Sequence, residues 1–172
     1  MIVISDTSPL ITLWDIGKID VLRQLYGTVV IPSAVEDELR ADTHARSADA
    51  IFEACSGWLT VRTPVEVVPI EGLDPGETAA IALAKEMHAE LLIIDERLGR
   101  RVAKREQIQS YGTIGVLEKA AKEGLIDLAE AFERIKQSKF YISHKYLDSR
   151  LAADRQVQRQ QADKDPSSEE AT

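Results

Sequence analysis

Residues 91–94, LLII, form an uninterrupted apolar run that ends on Asp95, and this feature constrains the fold more than any other in the chain. A strand that is apolar at every position has no polar face to turn to water. It is covered on both sides, as strands in parallel sheets are. The chain opens on a second run of the same kind, MIVIS, which ends on Asp6. Behind Asp6, Ser8 reads as a helix N-cap and Pro9 as a first-turn residue of a helix with apolar spacing through LITLWDIGKIDVLRQLYG.

The same unit recurs along the chain. Thr28 to Ile31 reads as a strand, and Ser33-Ala-Val-Glu36 matches a capping box opening a helix through Leu39. Residues 47–55 have helical spacing, and Leu59 to Arg62 reads as a strand leading into a polar loop. Asp74-Pro75-Gly76-Glu77 starts an alanine-rich helix to about His88. A basic helix over 96–105, a short strand near Ile108 and a helix over 113–123 ending at Gly124 follow the LLII run. Strands alternating with helices predict an α/β fold with a mainly parallel sheet. Beyond Tyr146 the sequence turns polar, so residues 1–146 are expected to form one domain and residues 147–172 a tail, partly helical and then disordered.

Composition enters by exclusion. Lys and Arg number 21 against 29 Asp and Glu, a net charge of −8, which argues against binding nucleic acid through bulk positive charge. No apolar run reaches the roughly 18 residues a bilayer requires, and the N-terminus has no basic segment ahead of its apolar residues, so a cytoplasmic location is expected. Cys55 is the only cysteine, which leaves no thiolate cluster for a metal. His44, His88 and His144 stand in unrelated contexts and read as surface or packing residues.

The acids carry the chemistry. In open parallel sheets ligands bind beyond the carboxyl ends of the strands, which is where Asp6 and Asp95 stand. Glu38 and Glu77 lie in the first turns of helices that begin at that same edge if the connections are right-handed. Four carboxylates converging on one cleft repel one another, and a cation is the usual reason for holding them there. An all-oxygen donor set suits Mg²⁺ or Mn²⁺, and the matching reaction class is metal-assisted phosphodiester hydrolysis. Structural readings stand beside these: Glu77 is also placed as the cap partner of Asp74, and Asp95 as the N-cap of the basic helix. Glu38 competes with its neighbours Glu36 and Asp37. Asp6 has no such alternative if Ser8 caps the first helix. Arg97, Arg100, Arg101, Lys104 and Arg105 read either as a solvated helix face or as a grip on a phosphate backbone.

Five segments in order, VISDTSPLI, VIPSAVEDEL, LDPGETAAIALA, LLIIDERLGRRVA and YGTIGVLEKAAKEGLI, resemble the PIN-domain ribonucleases, in particular a prokaryotic subgroup allied to VapC-type toxins. The resemblance covers about Met1 to Ile142. It implies a three-layer α/β/α sandwich, Mg²⁺- or Mn²⁺-dependent cleavage of single-stranded RNA, frequent homodimers and, for a toxin, a small antitoxin partner. Carried over by position, it gives Asp6, Glu38, Glu77 and Asp95 as the catalytic, metal-holding acids, and Thr7 and Ser8 as hydroxyl residues supporting a metal-bound water. The chain departs from the pattern at Glu77, where many such toxins carry Asp, and after Asp95, which is followed by Glu96 and Arg97. Two rivals remain. A catalytically silent PIN-like interaction module would bind metal without cleaving, and a phosphorylated receiver domain would need a strand ending in Lys, which no strand here has.

Overall fold

The computed structural model describes residues 1–41 and 48–162. Among them, five strands and nine helices alternate as β1 (Val3–Ser5), α1 (Thr7–Asp15), α2 (Asp20–Tyr26), β2 (Val29–Pro32), α3 (Ser33–Ala41), α4 (Ala48–Ala54), β3 (Leu59–Arg62), α5 (Pro75–Glu86), β4 (Leu91–Ile93), α6 (Arg97–Arg105), β5 (Ser110–Tyr111), α7 (Thr113–Lys122), α8 (Leu128–Gln137) and α9 (His144–Ala162).

The strands form one sheet in the order β3-β2-β1-β4-β5, and every pairing is parallel. The pleat divides the apolar runs between two cores. Val3, Val29, Ile31, Leu91 and Ile93 enter one core with residues of α1, α2, α7 and α8, while Ile4, Val30, Leu92 and Ile94 enter the other with Ala80, Ile81, Leu83 and Ala84 of α5 and Ala103 of α6. A sheet with two buried faces is a three-layer α/β/α sandwich, as the LLII run requires. Alanines on α5 let its backbone approach the sheet closely, over β1, β2 and β4.

Chain order reverses direction between β1 and β4, which is where a cleft opens at the carboxyl ends of the strands in such sheets. Ser5 pairs with Ile93 in register, and the Asp6 N–H donates to the Ile93 carbonyl at 2.9 Å. Asp6 and Asp95 are therefore delivered to the same edge by neighbouring strands.

Three features differ from the sequence reading. The expected long first helix is two, α1 and α2. Helix α1 begins at Thr7, with Asp6 at the N-cap position and Ser8 exposed inside the first turn, so Ser8 is not the cap. The boundary placed after residue 146 falls inside α9, whose Leu147 is buried in the main core and whose Arg150 pairs with Glu118 of α7 at 2.5 Å. The last part of the tail expected to be disordered, residues 163–172, and His44 lie outside the described residues. No described helix is long and apolar enough to cross a membrane.

Candidate metal centre

Asp6 is the most constrained acid of the cleft. Only 2% of its surface is exposed, and although it occupies the N-cap position its side chain makes no capping hydrogen bond. Its Oδ1 is buried with no hydrogen-bond partner among the described residues. Burial pushes its pKa from 3.8 up to about 8; the Thr7 N–H pulls the other way, and the charges of Asp74, Glu77 and Glu38 add to the rise. A buried oxygen with no donor is costly in a folded protein, by about 1–3 kcal/mol or more if charged, and calls for an explanation.

Glu38 is held beside it by groups from two elements. The Thr7 hydroxyl donates to its Oε2 at 2.5 Å, and the Gly76 N–H at the start of α5 donates to its Oε1 at 2.7 Å. A Cβ at Gly76 would stand 2.3 Å from Glu38 Oε2, so a side chain there would displace the carboxylate from its present seat. The first turn of α5 thus presses its bare backbone onto the carboxylate, with the positive end of the helix dipole toward it.

Asp74 completes the group. Asp6, Glu38 and Asp74 each offer a carboxylate oxygen within 4.8 Å of the other two. Asp74 was read from sequence only as a cap, and it is one: its Oδ1 accepts from the Glu77 N–H at 2.7 Å while Glu77 Oε2 accepts from the Asp74 N–H at 2.9 Å. The signal for a second role was present, an acid at the mouth of the same helix. Glu77, expected among the ligands, is tied into this capping box outside the three-acid group; burial is the largest of the influences that raise its pKa.

Asp95 stands apart as well. Both its oxygens are used by Thr113, which donates its N–H to Oδ1 at 2.7 Å and its hydroxyl to Oδ2 at 2.6 Å. Burial raises its pKa, while Thr113 and the Arg100 charge oppose the rise. It does not cap the basic helix, since Glu96 does, accepting from the Leu98 N–H at 3.0 Å. Gly112 lets the α7 entrance come this close, because a Cβ there would lie 2.8 Å from Asp95 Oδ1.

The basic helix divides in two. Arg100 turns inward and donates to the carbonyls of Ile94, at 3.1 Å, and Asp95. It braces the end of β4 and is not a free cation. Arg97, Arg101 and Lys104 are exposed and line a groove of about 790 Å³ together with Gln109 and Ser110 beside β5.

The donor set fits a hard divalent cation: carboxylate oxygens only, one of them buried and unpartnered, with the lone thiol of Cys55 buried and its pKa raised to about 12.

Comparisons agree with this geometry. A family model described as PIN domain matches residues 2–155. Among solved structures, the chain is similar to a PilT N-terminus domain protein from the hyperthermophilic archaeon Sulfolobus solfataricus, with a TM-score of 0.50 and 19% identity, covering 70% of this chain and 93% of that one. No curated protein matches it significantly. The family match spans most of the chain, its segments supply the acids described above, and the chain belongs to the PIN-domain family.

Proposed function

We propose that this chain is a metal-dependent endoribonuclease that hydrolyses phosphodiester bonds of single-stranded RNA with Mg²⁺ or Mn²⁺. The observation that carries the reading is the buried, unpartnered Oδ1 of Asp6 inside a group of three carboxylates. A protein that holds three acids this close and leaves one oxygen of the most buried acid without a donor has a cation as the simplest counterpart.

In this reading Asp6, Glu38 and Asp74 hold the ion. Bound there, a divalent ion supplies a lowered water pKa and neutralises charge developing on the phosphate. The chain's own residues do the rest. Thr7 and Gly76 fix the Glu38 carboxylate, so it needs no reorganisation when substrate arrives. Ser8, exposed one residue on, supports a metal-bound water in this reading. Glu77 acts through the capping box that orients Asp74, and Asp95 through the buried Thr113 at the start of α7. Arg97, Arg101 and Lys104 hold the phosphate backbone without reading sequence.

The resemblance to VapC-type toxins extends the proposal to a cytoplasmic toxin restrained by a small antitoxin, and to a homodimer. A catalytically silent module is the second reading, favoured by one observation: Glu38, Glu77 and Asp95, three of the four expected acids, already accept hydrogen bonds from protein groups. Incubation of purified protein with mixed single-stranded RNA and Mn²⁺ separates the two. Cleavage that disappears in Asp6→Asn supports the nuclease; Mn²⁺ binding without cleavage supports the silent module.

A further inference from the structure

Residues 139–146, KFYISHKY, join α8 to α9 and differ in character from the rest of the chain. No acid stands between Glu133 and Asp148, in a protein with a net charge of −8. Those two bracketing acids are both taken by Lys136, at 2.8 Å each. Lys139 and Lys145 are exposed and form no ion pair among the described residues. Beside them Tyr141 is 102% exposed and Tyr146 47%. Tyr141 is the most exposed large apolar or aromatic side chain of the described residues, and it makes no hydrogen bond among them. Single exposed aromatics are ordinary; two of them interleaved with unpaired cations mark a surface that meets something.

The rings are presented from a fixed backbone. Phe140 and Ile142 pack against the main core on either side of Tyr141, which leaves Tyr141 facing outward. The Phe140 N–H donates to Ser138 Oγ at 3.1 Å, and that hydroxyl donates to the Ile135 carbonyl at 2.8 Å. On the far side Leu147 is buried and Arg150 pairs with Glu118 of α7 at 2.5 Å. Helix α7 is the one whose first residue, Thr113, holds Asp95. The segment is therefore carried by elements packed on a wall of the acid cleft.

Its chemistry names the occupant. Unpaired nucleic-acid strands bind where bases can stack on aromatic faces and phosphates can meet cations. A duplex keeps its base faces in its own stack and could use only the amines. An acidic peptide would likewise use the amines and has no need of bare ring faces. The groove on α6 offers cations and no aromatic ring among its lining residues, so it can hold phosphates but cannot stack bases.

We propose that residues 139–146 form a stacking platform for single-stranded nucleic acid, with Tyr141 and Tyr146 taking bases and Lys139 and Lys145 the neighbouring phosphates. The inference rests on the single-strand ribonuclease reading for its partner and adds a contact outside the metal centre and the α6 groove.

Fluorescence anisotropy of a labelled single-stranded RNA of about 12 nucleotides, titrated with the full chain carrying Asp6→Asn, reads binding without cleavage from about 0.1 to about 100 µM. Tyr141→Ala is expected to weaken binding about tenfold, and Tyr141→Trp to keep it within about threefold, because the ring face binds and not the hydroxyl. Lys139→Ala with Lys145→Ala is expected to lower the slope of log affinity against log salt by about 1.4, the share of two phosphates on a single strand. A DNA strand should respond to Tyr141→Ala as RNA does, and a duplex of the same sequence should not. Circular dichroism checks that each variant is folded. Strand binding that is absent, unchanged in Tyr141→Ala, or weakened as much by Tyr141→Trp overturns the platform; so does Tyr141-dependent binding of a poly-glutamate peptide in place of the strand. Single-turnover cleavage by the chain with Asp6 intact and Mn²⁺ present separates the two readings. Cleavage whose half-saturating protein concentration ignores Tyr141→Ala overturns the platform alone, whereas Tyr141-dependent strand binding without any cleavage overturns the ribonuclease reading alone.

Discussion

The carboxyl ends of β1 and β4 are built from the same sequence pattern, a short apolar run closing on an aspartate, and they lie side by side in the sheet. Their chemistry is opposite. Asp95 at the end of β4 has both oxygens answered by Thr113 and Arg100 bracing its backbone, while Asp6 at the end of β1 has a buried oxygen that nothing in the described residues answers. Burial raises the pKa of both, but at Asp95 the Thr113 donors and the Arg100 charge oppose the rise, whereas at Asp6 only the Thr7 N–H does. The difference singles out Asp6 as the acid with an unanswered oxygen, which a pattern shared by the two strand ends cannot do.

Breaking the comparison at its active half has the largest expected effect. Asp6→Asn should lower Mn²⁺-dependent RNA cleavage by about a thousandfold or more, the scale expected when a metal ligand is lost, as measured by single-turnover cleavage of a labelled RNA. Arg101→Ala should leave the single-turnover rate at saturating protein largely intact.

The same substitution should act on stability in the opposite direction. In metal-free protein, Asp6 keeps its proton up to about pH 8 when folded and releases it near 3.8 when unfolded. The folded state therefore binds more protons between those values, and the stability Asp6 contributes is full below the lower value and lost as pH rises through the upper one. At pH 9 with chelator present, Asp6→Asn should be more stable than the parent chain by on the order of a few kcal/mol, and below pH 4 the two should converge. Urea titrations of both proteins across pH check this; a mutant less stable at pH 9 would mean that Asp6 is satisfied after all.

At the quiet half, Thr113→Val should cost about 1–3 kcal/mol of stability, since it strands an oxygen of Asp95, with the cost read from the shift in urea midpoint. The supporting shell of the active half should show the converse balance. Gly76→Ala drives a methyl into Glu38 and should weaken Mn²⁺ binding about tenfold or more. The smallest effect expected is from Lys104→Ala, which should weaken RNA binding a few-fold and reduce its salt dependence by about one phosphate contact.

Much of the fold was legible because the central strands are short and mostly apolar. The run LLII demanded two covered faces, and Leu59–Arg62 is a strand over the residues the sequence indicated. Helix α8 was not read, although Leu128, Ala131, Phe132 and Ile135 have helical spacing behind the capping Asp127, so the information was there. Helix α9 looked like a tail because only Leu147 and Leu151 anchor it to the core. At the site, Asp6 and Glu38 were found from strand ends and helix starts. Asp74 was hidden by its success as a cap, because one carboxylate can both cap a helix and stand beside two other acids. Ser8 does not free Asp6 from capping, since Asp6 occupies the cap position itself. Asp6 stands out instead because its side chain does not cap and its Oδ1 stays unanswered.

The central claim is that Asp6 is left unsatisfied for a divalent cation while Asp95 is not. Calorimetric titration of Mn²⁺ into the metal-free parent chain, Asp6→Asn and Asp95→Asn at one pH tests it directly. The account predicts saturable binding to the parent chain, at least about a hundredfold loss in Asp6→Asn, and a loss of about tenfold or less in Asp95→Asn. Binding that is unchanged in Asp6→Asn, or abolished equally in both variants, would contradict it.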